Sequence, residues 1–318
     1  MKQSAMKTFA IIILIGINLF LAISLSDQKE QITYYDEQLI NSTVENMKAN
    51  GMIIDDSLIP RMRKSYSVLE GIYDTDVLLG AAGRFMPSGQ LSVYALPAGG
   101  VHVMNGDGDS VSFYRNLNFS FRSAGSGEIL AGIEGAAPEQ IKNEGQFDGV
   151  CGGFLSSYGA RAENDPLSLV TDSVLYYRDG DVYEIKCFQC AEGLPVYGFT
   201  VRIWVVGGKV RAADGKWCFG APGARIDADT QDVISILINE SGRLRTEYRS
   251  MLKEDPSALM PAYMVSDLSA NYYIFIDDSN HIYFVPVYVI SYRDRNGSIY
   301  NTVNGKMISV TAEDAETN

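Results

Sequence analysis

Residues of the types that do covalent or metal chemistry are scarce in this sequence. Its 318 residues include only two histidines, His102 and His281, so a His-rich metal site is excluded by count. One His/Asp pairing remains conceivable, because His281 lies close to Asp277 and Asp278 in the sequence. The same stretch has the composition of a hairpin turn, which is the simpler interpretation.

Cysteine chemistry centres on Cys187 and Cys190, which have the CxxC spacing found in zinc and redox sites. A zinc site needs a second ligand pair, and a redox CxxC motif accompanies a thioredoxin-like strand–helix–strand pattern; the sequence has neither. The motif falls at a strand end, where residues i and i+3 point to opposite faces and cannot bond to each other. Three outcomes stay open: a redox or metal role, cross-strand pairing with Cys218 or Cys151, or four reduced cysteines in the core, of which the last is favoured.

The segment Asn105–Ser110 (NGDGDS) resembles part of a calcium loop, because oxygen ligands occur at alternating positions. The glutamate expected at loop position 12 is missing, since residue 116 is asparagine. Similar Asp/Gly/Asn clusters occur where hairpins must turn, so a turn is predicted. Taken together, these motifs predict no catalytic residue, no cofactor-binding residue and no metal site.

Three predicted helices, each followed by strands, would position these residues. The first helix is predicted over Thr33–Asn50 and ends at Gly51, the second runs from Pro138 to Tyr158, and the third covers Thr230–Asn239. Short alternating runs separated by turn residues follow each helix and predict antiparallel strands. This order predicts an α+β fold of successive units, in each of which a helix packs on an antiparallel sheet.

The N-terminal run Thr8–Ser26 contains no charged residue and follows Lys2 and Lys7. At ~1.5 Å per residue, a helix of this length just spans a hydrocarbon layer of ~30 Å. The positive-inside rule places the lysines in the cytoplasm and the rest of the chain on the extracytoplasmic side of a cell membrane. A secretory signal cleaved near Ser24 or Ser26 is the alternative, and it gives the bulk of the chain the same location.

The predicted organisation follows from this segment and from the three helices. It comprises a cytoplasmic tail (1–7), a transmembrane helix (8–26), three α+β units (27–135, 136–224 and 225–310) and a loose tail (311–318). Asn18, Ala22 and Ser26 recur every four residues, a small and polar stripe typical of a helix that packs on another membrane helix. Scattered, tolerated polar residues would give the same pattern.

Two tyrosines near the C-terminus are candidates for surface contacts. Tyr263 and Tyr288 each lie two residues after a proline, in the segments P-A-Y and P-V-Y. Proline favours strand starts and edges, which would leave the tyrosines on the sheet surface. Packing in the core is the alternative for both.

The formal charge of −13 bears on the class of partner. So acidic a chain repels phosphate backbones and anionic lipid headgroups, which argues against nucleic-acid binding. Hydrophobic residues make up 46% of the chain and charged residues 20%, a composition that supports a sizeable packed core.

Several of these features together resemble a known family. They are the single apolar span, the stretch F-Q-x-x-x-G-x-P-V-Y (Phe188–Tyr197), the closing segments P-A-Y and Y-F-V-P-V-Y-V-I-S-Y (Pro261–Tyr292), and Tyr300–Gly305. This combination resembles the YycI-type regulatory proteins. The pattern Q-x-x-x-G-x-P-V is also similar to the hairpin of PepSY and thermolysin-propeptide domains. Residues 54–135 carry no such resemblance.

The resemblance implies a non-enzymatic accessory protein of Gram-positive bacteria. Such a protein would associate with a YycH-like partner and restrain a sensor histidine kinase that controls cell-wall metabolism, partly through transmembrane helix contacts. The four cysteines depart from the pattern expected of the family. A PepSY-like inhibitor or chaperone of a secreted peptidase is the main alternative, and a cell-wall enzyme that uses an acidic pair is a third.

Overall fold

The structure, a computed structural model, describes residues 34–87, 89–97, 99–142, 145–155, 167–220 and 222–309. Within these ranges the fold is α+β, as predicted, with five helices around one large mixed sheet. The helices are α1 (Glu37–Ala49), α2 (Thr75–Phe85), α3 (Ser126–Ile133), α4 (Asp148–Leu155) and α5 (Val233–Glu254). The strands are β1 (Met52–Ile53), β2 (Val68–Ile72), β3 (Ser92–Ala95), β4 (Gly100–Met104), β5 (Ser110–Tyr114), β6 (Asn118–Arg122), β7 (Glu139–Ile141), β8 (Leu167–Tyr177), β9 (Val182–Ala191), β10 (Leu194–Val206), β11 (Lys209–Lys216), β12 (Pro222–Ile226), β13 (Tyr263–Ile276), β14 (His281–Tyr292), β15 (Ser298–Asn301) and β16 (Met307–Ile308).

The sheet has two wings. The first wing is antiparallel throughout, in the order β7-β8-β9-β10-β11-β6-β5-β4-β3. The second wing centres on the β13–β14 hairpin, with β1 on one side and β2–β12 and β15–β16 on the other. A single parallel pairing, Val196 with Tyr272, joins the wings through β10 and β13. Strands from all three predicted units therefore share one hydrogen-bonded sheet.

Turn chemistry predicted from the sequence produces the hairpins of this sheet. Gly207 and Gly208, with φ of 56° and 74°, form the two-residue turn between β10 and β11. Asp277 closes the β13–β14 turn by accepting hydrogen bonds from the backbone N–H groups of Ser279 and His281 at 2.8 and 2.9 Å. These connections were predicted correctly because each depends on residues that are neighbours in the chain.

Pro286 lies in the middle of β14, not at the strand start or edge predicted for it. On one side of β14, β2 pairs with residues 281–284 and β15 pairs with residues 287–290. Pro286 falls between these two partners, where the missing N–H group interrupts neither ladder. Pro261, two residues before β13 begins, matches the prediction of a strand start.

The helix boundaries differ in several places from those predicted from the sequence. α1 begins at Glu37 because Asp36 caps it, accepting from the backbone N–H of Gln38 at 2.9 Å. The region predicted as one helix from Pro138 to Tyr158 contains strand β7 and then the short α4, separated by a turn at Gly145 (φ 79°). Helices α2 and α3 were not predicted.

The predicted third helix is much longer than expected. It is capped by Asp232, which accepts from the backbone N–H of Ser235 at 2.9 Å, and it continues past Asn239 to Glu254. Ser241 and Gly242 do not end it, because Ser241 is buried next to α1 and Leu244 is buried in the second core cluster, so tertiary packing outweighs weak propensity.

Two core clusters account for most of the buried apolar residues. In the larger cluster, Phe85 of α2 packs among aromatic rings of the first wing and Phe154 of α4, with a Phe85–Phe154 centroid distance of 4.3 Å. In the second cluster, α1 and α5 lie side by side over the second wing. α1 contributes Ile40 and Met47, and α5 contributes Ile236, Leu237 and Leu244.

Among the described residues, no helix is long and apolar enough to cross a membrane. The predicted span Thr8–Ser26, with Asn18, Ala22 and Ser26, lies outside the described residues, as do the predicted tails 1–7 and 311–318. The membrane anchor therefore stays a prediction from the sequence.

Candidate functional site

The two tyrosines predicted as surface contacts lie in different environments. Tyr288 is only 4% exposed and belongs to the core cluster under α1 and α5. The surface role predicted for Tyr288 therefore does not fit this fold, and the alternative of core packing describes the residue. Tyr263 is half-buried, and the guanidinium of Arg295 lies 4.7 Å from its ring centroid.

The cysteines and the acidic loop take structural positions. All four cysteines are buried and none is in a disulfide. Cys187 belongs to the main core cluster and Cys190 does not, as expected for i and i+3 positions of a strand. Asn105 organises the β4–β5 turn, since its Oδ1 accepts from the backbone N–H groups of Asp107 and Asp109 at 3.0 and 2.9 Å. In the described part of the chain, no group of three His, Cys, Asp or Glu side chains could hold a metal ion.

Glu240 of α5 is a buried carboxylate at the centre of a cluster of hydrogen bonds. Its Oε1 accepts hydrogen bonds from Tyr292 Oη at 2.6 Å, Arg243 Nη2 at 2.8 Å and Ser298 Oγ at 3.0 Å. Its Oε2 accepts from Tyr300 Oη at 2.6 Å and Arg243 Nε at 2.7 Å. Glu240 is 0% exposed, so five protein donors replace the water that it would bind outside the fold.

Electrostatics make this carboxylate a structural group. Burial raises the pKa of Glu240, but the hydrogen bonds from Arg243, Tyr292 and Tyr300 outweigh burial, so the pKa is lowered. A carboxylate with a lowered pKa and occupied lone pairs is a poor general base, and no solvent reaches it. Glu240 instead links α5 to β14 and β15 through hydrogen bonds, which fixes the position of the helix on the sheet.

Another side of α5 faces α1 across a groove. The groove has a volume of ≈ 690 Å³ and continues into a smaller cavity of ≈ 190 Å³. Asn46, Asn50 and Arg245 line both parts, so the two cavities form one feature, which we call the interhelix groove. Asn50 ties the helices together at this point, because its Nδ2 donates to Ser241 Oγ at 3.1 Å. The remaining residues that line the larger part are Ser42, Glu45, Ala49, Tyr248, Arg249, Leu252 and Met260.

The groove carries excess positive charge in an acidic protein. Arg245 and Arg249 are exposed and lie one helical turn apart on α5, whereas Glu45 is the one acidic side chain of the lining. Among the described residues, neither arginine forms an ion pair. Two unpaired guanidinium groups beside an open groove can bind carboxylate or phosphate oxygens in a bidentate manner.

One end of the groove continues into an exposed apolar patch. Met260 lines the groove and is 36% exposed, and the adjacent Leu259 is 88% exposed. Methionine side chains adapt readily to the shape of a partner, so this patch and the two arginines together suit an amphipathic segment.

Comparisons with known proteins assign no function to this site. No family model matches the sequence, and no curated protein matches it. A crystal structure of an uncharacterized protein from Eubacterium rectale is similar to this chain at 13% identity, with a TM-score of 0.40. The likeness covers 88% of this chain and 100% of the other.

The groove residues were missed at the sequence level because the third helix was predicted to end at Asn239. Extended by four turns, the same helix brings Arg245, Arg249 and Leu252 to one face at i, i+4 and i+7. That spacing was a usable signal. The partner helix α1 was predicted, but nothing in the sequence shows that α1 and α5 are neighbours in the fold.

Proposed function

We propose that this chain is a membrane-anchored extracytoplasmic regulatory protein that acts by contact with a sensor histidine kinase of a cell-wall-related two-component system. The observation that carries the proposal is the interhelix groove, with Arg245 and Arg249 free to bind an acidic partner. The resemblance to YycI-type proteins supplies the class of partner, including a YycH-like accessory protein. The chain would act by binding and not by catalysis, and the saturated carboxylate of Glu240 is consistent with that role.

The position of the groove along the chain supports a juxtamembrane partner. If Thr8–Ser26 spans the membrane, the ten residues from Asp27 to Asp36 separate it from α1. Fully extended, ten residues reach at most about 35 Å, and the 13 residues of α1 add about 20 Å. The groove is thus confined to within about 55 Å of the membrane, in reach of the extracytoplasmic part of a membrane-bound kinase.

Regulation would follow from a difference in affinity between two states of the kinase. A partner shifts an equilibrium only if it binds one state more tightly than the other. An acidic, partly apolar kinase segment that is accessible in one signalling state would meet this condition at the groove. The stripe Asn18, Ala22 and Ser26 would supply a second contact, with a transmembrane helix of the kinase or of the accessory protein.

Charge reversal in the groove tests the proposal. Replacing Arg245→Glu and Arg249→Glu together should reduce the amount of kinase that co-purifies with the full-length chain from detergent extracts by about tenfold or more. The reason is that two attractive contacts with an acidic segment become repulsive. Quantitative immunoblotting of the tagged kinase measures the loss.

Lys64→Glu with Lys209→Glu is the matched control. Both lysines are exposed and outside the groove, and this pair makes the same change in net charge. The control should retain wild-type capture. Equal capture by both double variants would exclude the groove as the contact. Failure of the wild-type chain to capture any kinase, or unchanged wall-stress signalling after its deletion, would refute the regulatory function itself.

An exposed edge strand favours a second candidate, the PepSY-like inhibitor of a secreted peptidase. β3 ends the sheet, and all four of its residues are exposed, with Val93 at 48% and Tyr94 at 54%. Such an edge can pair with an extended segment of a partner. Under this hypothesis the full-length protein inhibits a secreted peptidase, and Val93→Lys weakens inhibition while Arg245→Glu has no effect.

A further inference from the structure

Strand β3 leaves one side of the sheet without a neighbouring strand. Among the described residues it pairs with β4 alone, and all four of its residues are exposed. Leu96, just after β3, donates its N–H to the carbonyl oxygen of Gly100, the first residue of β4, at 3.1 Å. Backbone groups alternate in direction along an antiparallel strand, so the N–H and C=O groups of Val93 and Ala95 point away from β4. Four hydrogen-bonding groups of the backbone therefore face outward at this edge.

β3 lacks the features that protect the other edge strands of the described sheet. β1 and β16 have two residues each, β7 contains Glu139, and β12 contains Pro222 and Arg225. Short length, charge and proline each oppose the pairing of an edge with a further strand. Residues 85–106, which include β3 and β4, contain no Asp, Glu, Lys or Arg, although one residue in five is charged in the chain as a whole. The β3 edge is therefore open to a further strand.

The absence of charge at this edge favours a second copy of the chain as the partner. The formal charge of the chain is −13, so two copies repel each other wherever their acidic surfaces meet. In a twofold-symmetric pair of strands, the residue on the axis lies opposite the same residue of the other copy, and a charge there would face a like charge. An uncharged edge avoids both sources of repulsion. A strand of a different protein would not require the edge to be uncharged.

We propose that two copies of this chain pair antiparallel through β3, with Tyr94 on the twofold axis. In this register Val93 of each copy lies opposite Ala95 of the other, and the two residues exchange both of their hydrogen bonds. Four hydrogen bonds form, and they use all four outward-facing backbone groups. The Tyr94 side chains, 54% exposed in the single chain, become an aromatic pair across the two strands. The first wing of one copy then continues into the first wing of the other.

This inference is independent of the regulatory function proposed above. No residue that lines the interhelix groove belongs to β3, so a dimer of this kind leaves the groove of each copy open. The peptidase hypothesis, in contrast, needs the same edge. A dimer that occupies β3 would compete with a peptidase segment for it.

The molar mass of the full-length protein in detergent solution tests the proposal. Light scattering, corrected for bound detergent, should give twice the mass of the chain for the wild type. Tyr94→Lys places two like charges opposite each other and should raise the dissociation constant of the dimer by about tenfold or more. Tyr114→Lys is the matched control, because Tyr114 is exposed on the same face of the sheet but lies two strands from the edge. It should keep the wild-type dimer.

Disulfide cross-linking locates the contact. Opposite residues that do not exchange hydrogen bonds in an antiparallel pair have Cα atoms about 4.5 Å apart, which is within the range of a disulfide. Tyr94→Cys should therefore give a covalent dimer on a non-reducing gel after mild oxidation. Tyr114→Cys should not, and neither should the wild type, since all four of its cysteines are buried.

Several results would overturn the proposal. One is a wild-type protein that has the mass of a single chain at the highest concentration at which it is soluble. Another is a dimer that Tyr94→Lys leaves intact, as expected if the N-terminal segment held the copies together. Equal cross-linking of Tyr94→Cys and Tyr114→Cys would also contradict it. A single chain bound to a different polypeptide, which Tyr94→Lys releases, would assign the edge to a foreign segment. The wild-type mass needs no variant, so a folding defect in Tyr94→Lys does not protect the proposal.

Discussion

Replacing Glu240 with alanine is expected to lower the free energy of unfolding by about 3–5 kcal/mol. The substitution removes the acceptor of five hydrogen bonds. It leaves the hydroxyl groups of Tyr292, Tyr300 and Ser298 without their buried partner, at a cost of about 1–3 kcal/mol for each such group. Denaturation in urea, followed by circular dichroism, measures the change through the midpoint concentration.

Glu247→Ala is the control for this prediction. Glu247 accepts from the same Arg243, at 3.0 Å, and from Arg295 at 3.4 Å, but its side chain is 37% exposed. Surface ion pairs contribute about 0–1 kcal/mol, so the loss should be small. A similar loss for Glu247→Ala and Glu240→Ala would show that burial of the carboxylate is not the source of the stability.

The lowered pKa of Glu240 also sets a direction for pH dependence. Its pKa in the folded protein lies below the ordinary value of 4.5, so the stabilisation is fully present above that value and is lost as pH falls through the folded pKa. The difference in unfolding free energy between wild type and Glu240→Gln should therefore be constant near neutral pH and narrow below about pH 4.5. If the difference in unfolding free energy instead grew as the pH was lowered, the pKa of Glu240 would be raised in the folded protein and not lowered.

Replacing Gly215 with alanine is expected to destabilise the fold by more than about 3 kcal/mol. Gly215 lies in β11 with φ of 151°, paired with Val201 of β10 and with Phe119 of β6. A Cβ atom at this position would lie 2.7 Å from the Cα of Val201 and would overlap the carbonyl oxygen of Thr200. Both contacts are to backbone, so only a shift of β10 away from β11 relieves them.

Gly208→Ala is the control that distinguishes the steric clash at residue 215 from the cost of a positive φ alone. Gly208 also has a positive φ, of 74°, but a Cβ atom there meets nothing within 4 Å. The variant should lose only the roughly 1–2 kcal/mol that a left-handed conformation costs a residue with a side chain. Equal losses in the two variants, measured by urea denaturation, would mean that the close approach of β10 does not decide the effect.

Prediction from the sequence was most accurate where structure depends on neighbouring residues. The Asn105 turn and the turns at Gly207–Gly208 and Asp277–Asn280 follow from side chains that bond to the nearby backbone or tolerate positive φ. Boundaries were less accurate where packing opposes propensity. α5 continues through Ser241 and Gly242 because its buried face packs against both α1 and the sheet, and the periodicity of the sequence alone does not show these contacts.

The candidate site could be foreseen only in part. The sequence predicts the first helix, which forms one wall of the groove, but it predicts that the neighbouring helix α5 ends at Asn239, so Arg245 and Arg249 fall outside the predicted helix. Tyr288 was assigned a possible surface role because a proline near a strand suggests an edge. The fold shows instead that β2 and β15 leave a gap opposite Pro286, which permits a proline inside a central strand.

The α+β class, the acidic character of the chain, the hairpin turns and the small number of chemically active residues can all be predicted from the sequence alone. These properties depend on composition or on residues within a few positions of each other. The burial of Glu240 among five hydrogen-bond donors and the groove between α1 and α5 could be seen only in the folded chain. Both features join segments that are far apart in the chain. They are stabilised by packing between those segments, and no local sequence pattern indicates which segments will be neighbours.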